Sequence, residues 1–542
     1  MGATPYDLPN LDTEADRIRA LGVKNSGVKE FRQDRVFPVN RLDSDNGSLS
    51  DGKLLEFRLR SDSNQWINWR ETKIKAEFEI AFTGSTESTA TTTAPTYQAP
   101  PLSVRMTALP IHGLFDGGMQ YTLNSQLIDN QTHPYQSAMI ALHSRTDAFD
   151  LATTGSGALM SLAKDTGENF RPADPGAGKE AKGDEAKLLN PKCAILQEFY
   201  QPGTKVCRFE VSEPLIGLQS LQHGYFAPPG DHKLEFQVAN SFEQNLAFDS
   251  LAQSATGAVD SNANVAVISS KKIPLESALL PDPTKVNGTE KGEFRTMFIN
   301  IRNIELSVCY VSPAGPSYIP RGVALKFSPY QISTLAVRQK SVLATTVVPP
   351  ATRAVYLWLR QGGQKGPQHD FEELGLATMG INILKGDNTE DATKIGYFQN
   401  LEIQLGGSIA GRYTAMNPIQ GKMQAPWNDY LSSIGRPTGM RGSQLTYTEY
   451  CGVHNTDVTH TRPGGTSAIA NVGKTCGGFW MRIINPSGNL SNMLQIRGEL
   501  SETPGQSSQL ELVICAVSDR LLQCSYVEGQ EIPVSTSVTD IL

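Results

Sequence analysis

The chain has little charge, few cysteines and no long apolar run. No stretch approaches the roughly 18–20 apolar residues that a membrane-spanning helix needs. The opening MGATPYDLPNLDTEADRIRALG lacks the basic-then-apolar layout of a secretory signal, and Tyr6 stands where myristoylation needs Ser or Thr. Charged residues make up 19% and the net charge is -7, so no overall basic field draws the chain to nucleic acid. Cysteines at 193, 207, 309, 451, 476, 515 and 524 are scattered and odd in number. In a chain of this length that implies reduced thiols and synthesis inside a cell. The sequons at Asn46, Asn130, Asn287 and Asn489 are then expected to stay unmodified.

What is present is β-type material. The 542 residues are 39% hydrophobic, with 48 Gly and 32 Pro, which is enough for large cores and many turns. At about 150 residues per domain, two to four domains fit. The stretch 297–330, MFINIRNIELSVCYVSPAGPSYIPRGVALKFSPY, reads as a seam. Ile304, Leu306, Val308 and Tyr310 fall on one face, with Glu305, Ser307 and Cys309 on the other. That period of two marks a sheet with one buried face. SPAGPSYIP then breaks the pattern, and a second apolar run opens at Val323. Material of like kind and length flanks the seam, which predicts two β-sandwiches in tandem.

Residues 1–50 are polar and turn-rich, with a helix candidate at 13–21, and are expected to form an arm. Strand candidates follow at 53–60, 73–82, 114–128, 193–200, 205–211 and 232–238. In KIKAEFEIAF, Ile74, Ala76, Phe78, Ile80 and Phe82 point inward. A one-residue slip there would bury two lysines and two glutamates, so the register is strongly set. After the seam, strands are predicted at 323–327, 341–348, 354–359, 398–405, 445–450, 478–484, 493–500 and 510–517. Helices are predicted only at 135–143 and 427–434 besides the arm. Polar excursions at 82–106, 151–189, 240–291 and 361–394 are long for plain loops and are expected to carry contacts.

Candidate chemistry is thin. AIANVGKT, residues 468–475, fits a loose phosphate-binding loop, but no strand precedes it and no helix follows. Cys451, His454, His460 and Cys476 are ligand types whose spacing matches no tight zinc knuckle. LDSDNGSLSDG, residues 42–52, puts Gly47 where a calcium loop needs an oxygen and lacks its closing Glu. Gly406-Gly407-Ser408 is no nucleophile elbow, because the closing glycine comes one place late. His112 and His143 have no Ser or Cys partner in sequence, and Glu77 and Glu79 lie on a solvent face. No catalytic residue, cofactor site or metal site is therefore assigned, and no enzyme is expected.

The order of segments resembles the double jelly-roll major capsid proteins of eukaryotic DNA viruses and elements, of the Polinton/Maverick, virophage and adenovirus-hexon type. Four blocks carry the resemblance. LEFRLRSDSNQWINWRETKIKAEFEI (55–80) is similar to the family's opening strand pair. LNSQLIDNQTHPYQSAMIALHS (123–144) looks like its strand-plus-helix block, with Pro134 and Tyr135 matching and Gln136 and Ser137 departing. INIRNIELSVCYVSP, with Pro329-Tyr330 further on, resembles the junction between rolls. AVSDRLLQCSYVEGQEI resembles the closing block, with Asp519 and Leu521 matching.

The resemblance implies an all-β chain of two tandem eight-stranded jelly rolls with long loop insertions and a few short helices. The implied division is an arm at 1–50, a first roll at 51–313 and a second at 314–542. It implies a capsid protein in which three copies form a six-lobed tile of an icosahedral shell, located in the virion and made in the host cell. Implied partners are further copies, penton and minor capsid proteins, and a host receptor met through loops. No sequence-specific nucleic acid and no membrane-spanning segment are expected. The alternatives are a two-domain β-sandwich adhesin or lectin that holds a glycan, and a carbohydrate-active enzyme on a jelly-roll scaffold.

Overall fold

The computed structural model describes residues 28–40, 52–61, 65–85, 97–98, 104–106, 109–138, 199–222, 230–239, 247–249, 266–267, 294–313, 322–350, 352–361, 380–382, 395–417, 420–433, 459–461, 468–470, 479–482, 492–501, 503, 510–525 and 535–540. Two sets of eight strands carry the architecture. The first comprises β1 (Val28–Val36), β2 (Leu54–Ser61), β3 (Trp66–Ser85), β4 (Gly118–Leu123), β5 (Gln126–Gln131), β6 (Val206–Pro214), β7 (Gly230–Gln237) and β8 (Phe294–Pro313). A short strand, β9 (Gly322–Phe327), follows. The second set is β10 (Tyr330–Val337), β11 (Ser341–Val347), β12 (Thr352–Gln361), β13 (Ile395–Leu405), β14 (Ser408–Tyr413), β15 (Phe479–Arg482), β16 (Met493–Leu500) and β17 (Leu510–Ser518). The strands β18 (Arg520–Ser525) and β19 (Ser535–Asp540) close the chain.

The pairing is antiparallel and identical in the two sets. The first gives sheets β1-β8-β3-β6 and β2-β7-β4-β5; the second gives β10-β17-β12-β15 and β11-β16-β13-β14. In both, the first strand lies beside the eighth and the second beside the seventh. That is jelly-roll order, so the chain is a double jelly roll.

Side-chain alternation builds each roll. In β3, Ile74, Ala76, Phe78 and Ile80 are all at most 1% exposed. They meet Leu55, Phe57 and Leu59 of β2 and Leu234 and Phe236 of β7 in one core. Each of the larger side chains among these contributes about 1.5–3 kcal/mol on burial. The outward residues pair across strands, as in Arg208–Glu79 at 2.9 Å. The second core is built likewise from Tyr356, Phe398, Ile403, Leu494, Ile496 and Ile514.

Several sequence expectations need correction. Residues 28–36, expected in an arm, form β1 on the ladder of β8. Residues 114–128, read as strand, contain the end of helix α1 (Pro110–Leu114) before β4 begins at Gly118. Pro110, near the helix start, lacks the amide that the first turn leaves unpaired anyway. The polar face of the seam strand is not solvated: Glu305, Ser307 and Cys309 are 4%, 7% and 4% exposed. Strand β8 lies inside its sheet, between β1 and β3. Trp66, Asn68 and Thr72 of β3, also buried, share that end of the sheet.

In the second half, β10 and β14 were not foreseen, and 323–327 belongs to a separate joint sheet rather than to the second roll. Helix 427–434 is found as α2 (Gln424–Ser433). Residues 134–138 are helical, as expected for the start of 135–143. The strand at 445–450 and the excursion at 151–189 lie outside the described residues.

Candidate functional site

The two rolls meet in a joint that both halves of the chain build. Strand β18 pairs with β9 on one side and β19 on the other, giving a three-stranded sheet. Phe327, Leu522 and Cys524 of this sheet are buried in the first roll's core. In exchange, Leu109, Tyr135, Ala138 and Ile216 of the first half are buried in the second roll's core. Each core thus contains side chains of the other half, so the rolls are coupled by packing as well as by the chain.

Polar groups pin the same region. Asp519 sits at the corner between β17 and β18. Its carboxylate accepts from Lys326 at 2.8 Å, Arg353 at 3.1 Å and the Ser328 hydroxyl at 2.7 Å. These three partners flank the start of the second roll, so one side chain ties β9, β12 and the turn before β10 together.

Beside the joint, Glu213 and His112 are both fully buried. Glu213 accepts from the backbone N–H groups of Ile111 and His112, at 2.8 and 3.1 Å, and from His112 Nδ1 at 2.7 Å. The Gly217 N–H donates to His112 Nε2 at 3.1 Å, so that nitrogen is an acceptor and the ring proton sits on Nδ1. Every heteroatom of the pair is used internally. A Cβ on Gly217 would stand 2.9 Å from the His112 ring, so only glycine allows this approach.

A cleft of about 470 Å³ opens between the rolls, lined by Ile128, Asp129, Tyr330, Gln331, Ser518 and Arg520 among others. Asp129 accepts from the Ser220 N–H and hydroxyl at 3.1 and 3.0 Å and from Gln131 at 2.9 Å. Burial raises its pKa, against the opposing pull of those donors and of Arg520. Deeper in the first roll, His232 is hydrogen-bonded to Ser61 at 2.7 Å and to Tyr121 at 2.8 Å. This Ser–His pair resembles a nucleophile and its base, but all three residues are at most 2% exposed. It is a satisfied core network, with no room for a substrate.

Of the residues singled out from sequence, His112 is structural and Glu77 and Glu79 bind neighbours on the outer sheet face. Gly406 and Gly407 form the β13–β14 hairpin turn, with φ of 58° and 83°. Residues 468–470 form a short strand paired with 459–461, and no helix is described after it. His460 lies on that hairpin. Cys451, His454, Cys476, His143 and residues 42–51 lie outside the described residues. Among the described residues no cluster of three His, Cys, Asp or Glu is placed to hold a metal, and no helix is long and apolar enough to cross a membrane. Cys207, Cys309, Cys515 and Cys524 are free and buried; burial pushes the thiols of Cys309 and Cys524 up to about 11. Glu213, His232 and Asp129 went unnoticed in the sequence, since each sits among ordinary polar strand and turn letters, as in GDHKLEF around His232, and takes its partners from distant positions.

No family profile matches the sequence, and no curated protein is recognisably related to it. Solved structures do match. One is a chain in the cryo-EM structure of the Sputnik virophage, 14% identical, with a TM-score of 0.56, covering 96% of this chain and 90% of that one. Another is the mavirus major capsid protein, 10% identical, with a TM-score of 0.51, covering 94% of this chain and 90% of the other. At such identities the likeness is one of fold, and it extends over both rolls and the joint.

Proposed function

We propose that this chain is a major capsid protein, three copies of which form a six-lobed tile of an icosahedral virus shell. The observation that carries the reading is the double use of one eight-strand order, locked at the joint by Asp519 and by exchanged core residues. Two like rolls held at a fixed angle supply two similar walls, and three such chains supply six. The chain-wide likeness in fold to the mavirus major capsid protein supports the same reading. The proposed division goes with it, the first roll beginning at β1 rather than at residue 51, with the joint sheet bridging it to the second roll. A shell needs geometry rather than catalysis, and the buried His112–Glu213 and His232 networks fix positions in keeping with that reading.

The proposed place of the protein is the virion, after synthesis in the host cell. Its proposed partners are further copies, penton and minor capsid proteins, and a receptor reached through loops. Negative-stain electron microscopy of the purified protein tests the reading. Six-lobed particles or closed shells are expected. Single two-lobed molecules that hold a sugar between the rolls would replace it with the adhesin reading.

A further inference from the structure

A sheet edge is a row of backbone N–H and C=O groups without a ladder, and proteins blunt such rows with charged side chains and proline. Strand β1 follows that rule: Lys29, Glu30, Arg32, Asp34 and Arg35 are five of its nine residues. Two other edges do not. Strand β5 ends the sheet β2-β7-β4-β5, and β10 ends the sheet β10-β17-β12-β15. Strand β10 reads YQISTLAV, with no charged residue and no proline. Strand β5 reads QLIDNQ, and its one charged residue, Asp129, is 2% exposed and engaged by Ser220 and Gln131. Among the described residues neither strand has a ladder partner on its second side.

Both of these edges border the cleft between the rolls. Residues 127–130 of β5 and 330–332 of β10 line it, and its volume of about 470 Å³ is that of a ligand site. Six residues of such an edge run about 20 Å, at about 3.3 Å each. Leu127, Asn130 and Gln331 are exposed there and carry no charge. An uncharged, extended lining suits a polypeptide backbone. Where β17 passes into β18, two polar groups of the lining have unused capacity. The hydroxyl of Ser518, a residue 1% exposed, has no hydrogen-bond partner among the described residues. Arg520 donates from Nε to Asp540 at 3.1 Å, and its two terminal nitrogens have no acceptor among the described residues. A guanidinium with its fork unoccupied is a receptor for a carboxylate.

We infer that the cleft between the rolls binds an extended acidic peptide segment of a partner protein, which adds as a strand along these edges and sets a carboxylate on Arg520. Main-chain bonds to a sheet edge supply affinity, and a side-chain contact supplies selectivity. Asp129 does not take the place of that carboxylate. Its two oxygens already accept from Gln131 and from the Ser220 N–H and hydroxyl, so it braces β5 from behind. The inference does not rest on the capsid reading, because a single chain carries the whole cleft.

The test is the fluorescence anisotropy of two labelled hexapeptides, TVEVTV and its neutral match TVQVTV, titrated with the full chain. Arg520→Gln and Gln331→Glu alter the cleft. Arg58→Gln, an equal loss of charge at an exposed position of β2, is the control. Circular dichroism and thermal melting confirm that each variant folds. Wild type and the control are expected to bind the acidic peptide about tenfold more tightly than the neutral one, the scale of one hydrogen bond to a charged group. Arg520→Gln removes that preference, and Gln331→Glu weakens the acidic peptide alone. Hydrogen exchange locates the bound peptide: amides of β5 and of the first half of β10 gain protection. Four results each overturn the inference: no saturable binding of TVEVTV up to millimolar concentration, equal binding of the two peptides by wild type, a preference that Arg520→Gln leaves intact, or protection gained only outside β5 and β10.

Discussion

His112 and Glu213 show how one buried pair fixes a fold. Removing the imidazole orphans the Gly217 N–H and takes one of three donors from a carboxyl group with no access to water. His112→Ala is therefore expected to cost about 3–5 kcal/mol, the range for breaking a buried pair, measured as a fall in the urea midpoint at unchanged slope. Asp129 acts through pH. Its folded pKa is raised by burial, so its contribution to stability is fully present below the unfolded value of about 3.9 and is lost as pH rises through the folded value. Asp129→Asn is expected to remove that slope. The stability difference between wild type and variant should then move in the variant's favour from pH 4 upward, until Asp129 is fully ionised. Urea titrations at successive pH values check it; a constant difference contradicts it.

At the scale of elements, the joint sheet has the clearest consequence. Leu522 stands in the strand that directly follows the second roll's last strand, yet its side chain is 3% exposed within the first roll's core. Leu522→Ala is expected to cost about 2–5 kcal/mol. Hydrogen exchange locates the loss: protection should fall in β2, β4 and β7 of the first roll. Loss confined to β10–β17 would contradict the packing described. Strand β3 was legible because KIKAEFEIAF alternates and ionic residues hold its outer face. Strand β14, SIAGRY, was not, since small residues give no period and its place comes from the hairpin turn at Gly406-Gly407. The seam strand was legible as a strand, but burial of its polar face depends on β1, which reads locally as part of a polar arm. The site residues hid for a related reason. Glu213 gains its meaning from Ile111 and His112, about a hundred positions away in the chain.

At the scale of the molecule, the two rolls have the same strand order. The order is set by hydrophobic alternation, which any jelly roll needs. Both outward faces mix ion pairs with exposed apolar side chains: Arg58–Glu56 and Lys233–Glu235 beside Leu54 and Leu127 on the first roll, Arg412–Glu402 and Arg497 beside Leu343 and Val347 on the second. The packed joint couples the two rolls through the core residues they exchange.

The most direct measurement is the native mass of the purified protein by sedimentation equilibrium over a range of micromolar concentrations. A capsid tile predicts a particle of three times the chain's 58.9 kDa, with larger multiples of that unit as shells form. A single species at one chain mass throughout would contradict it.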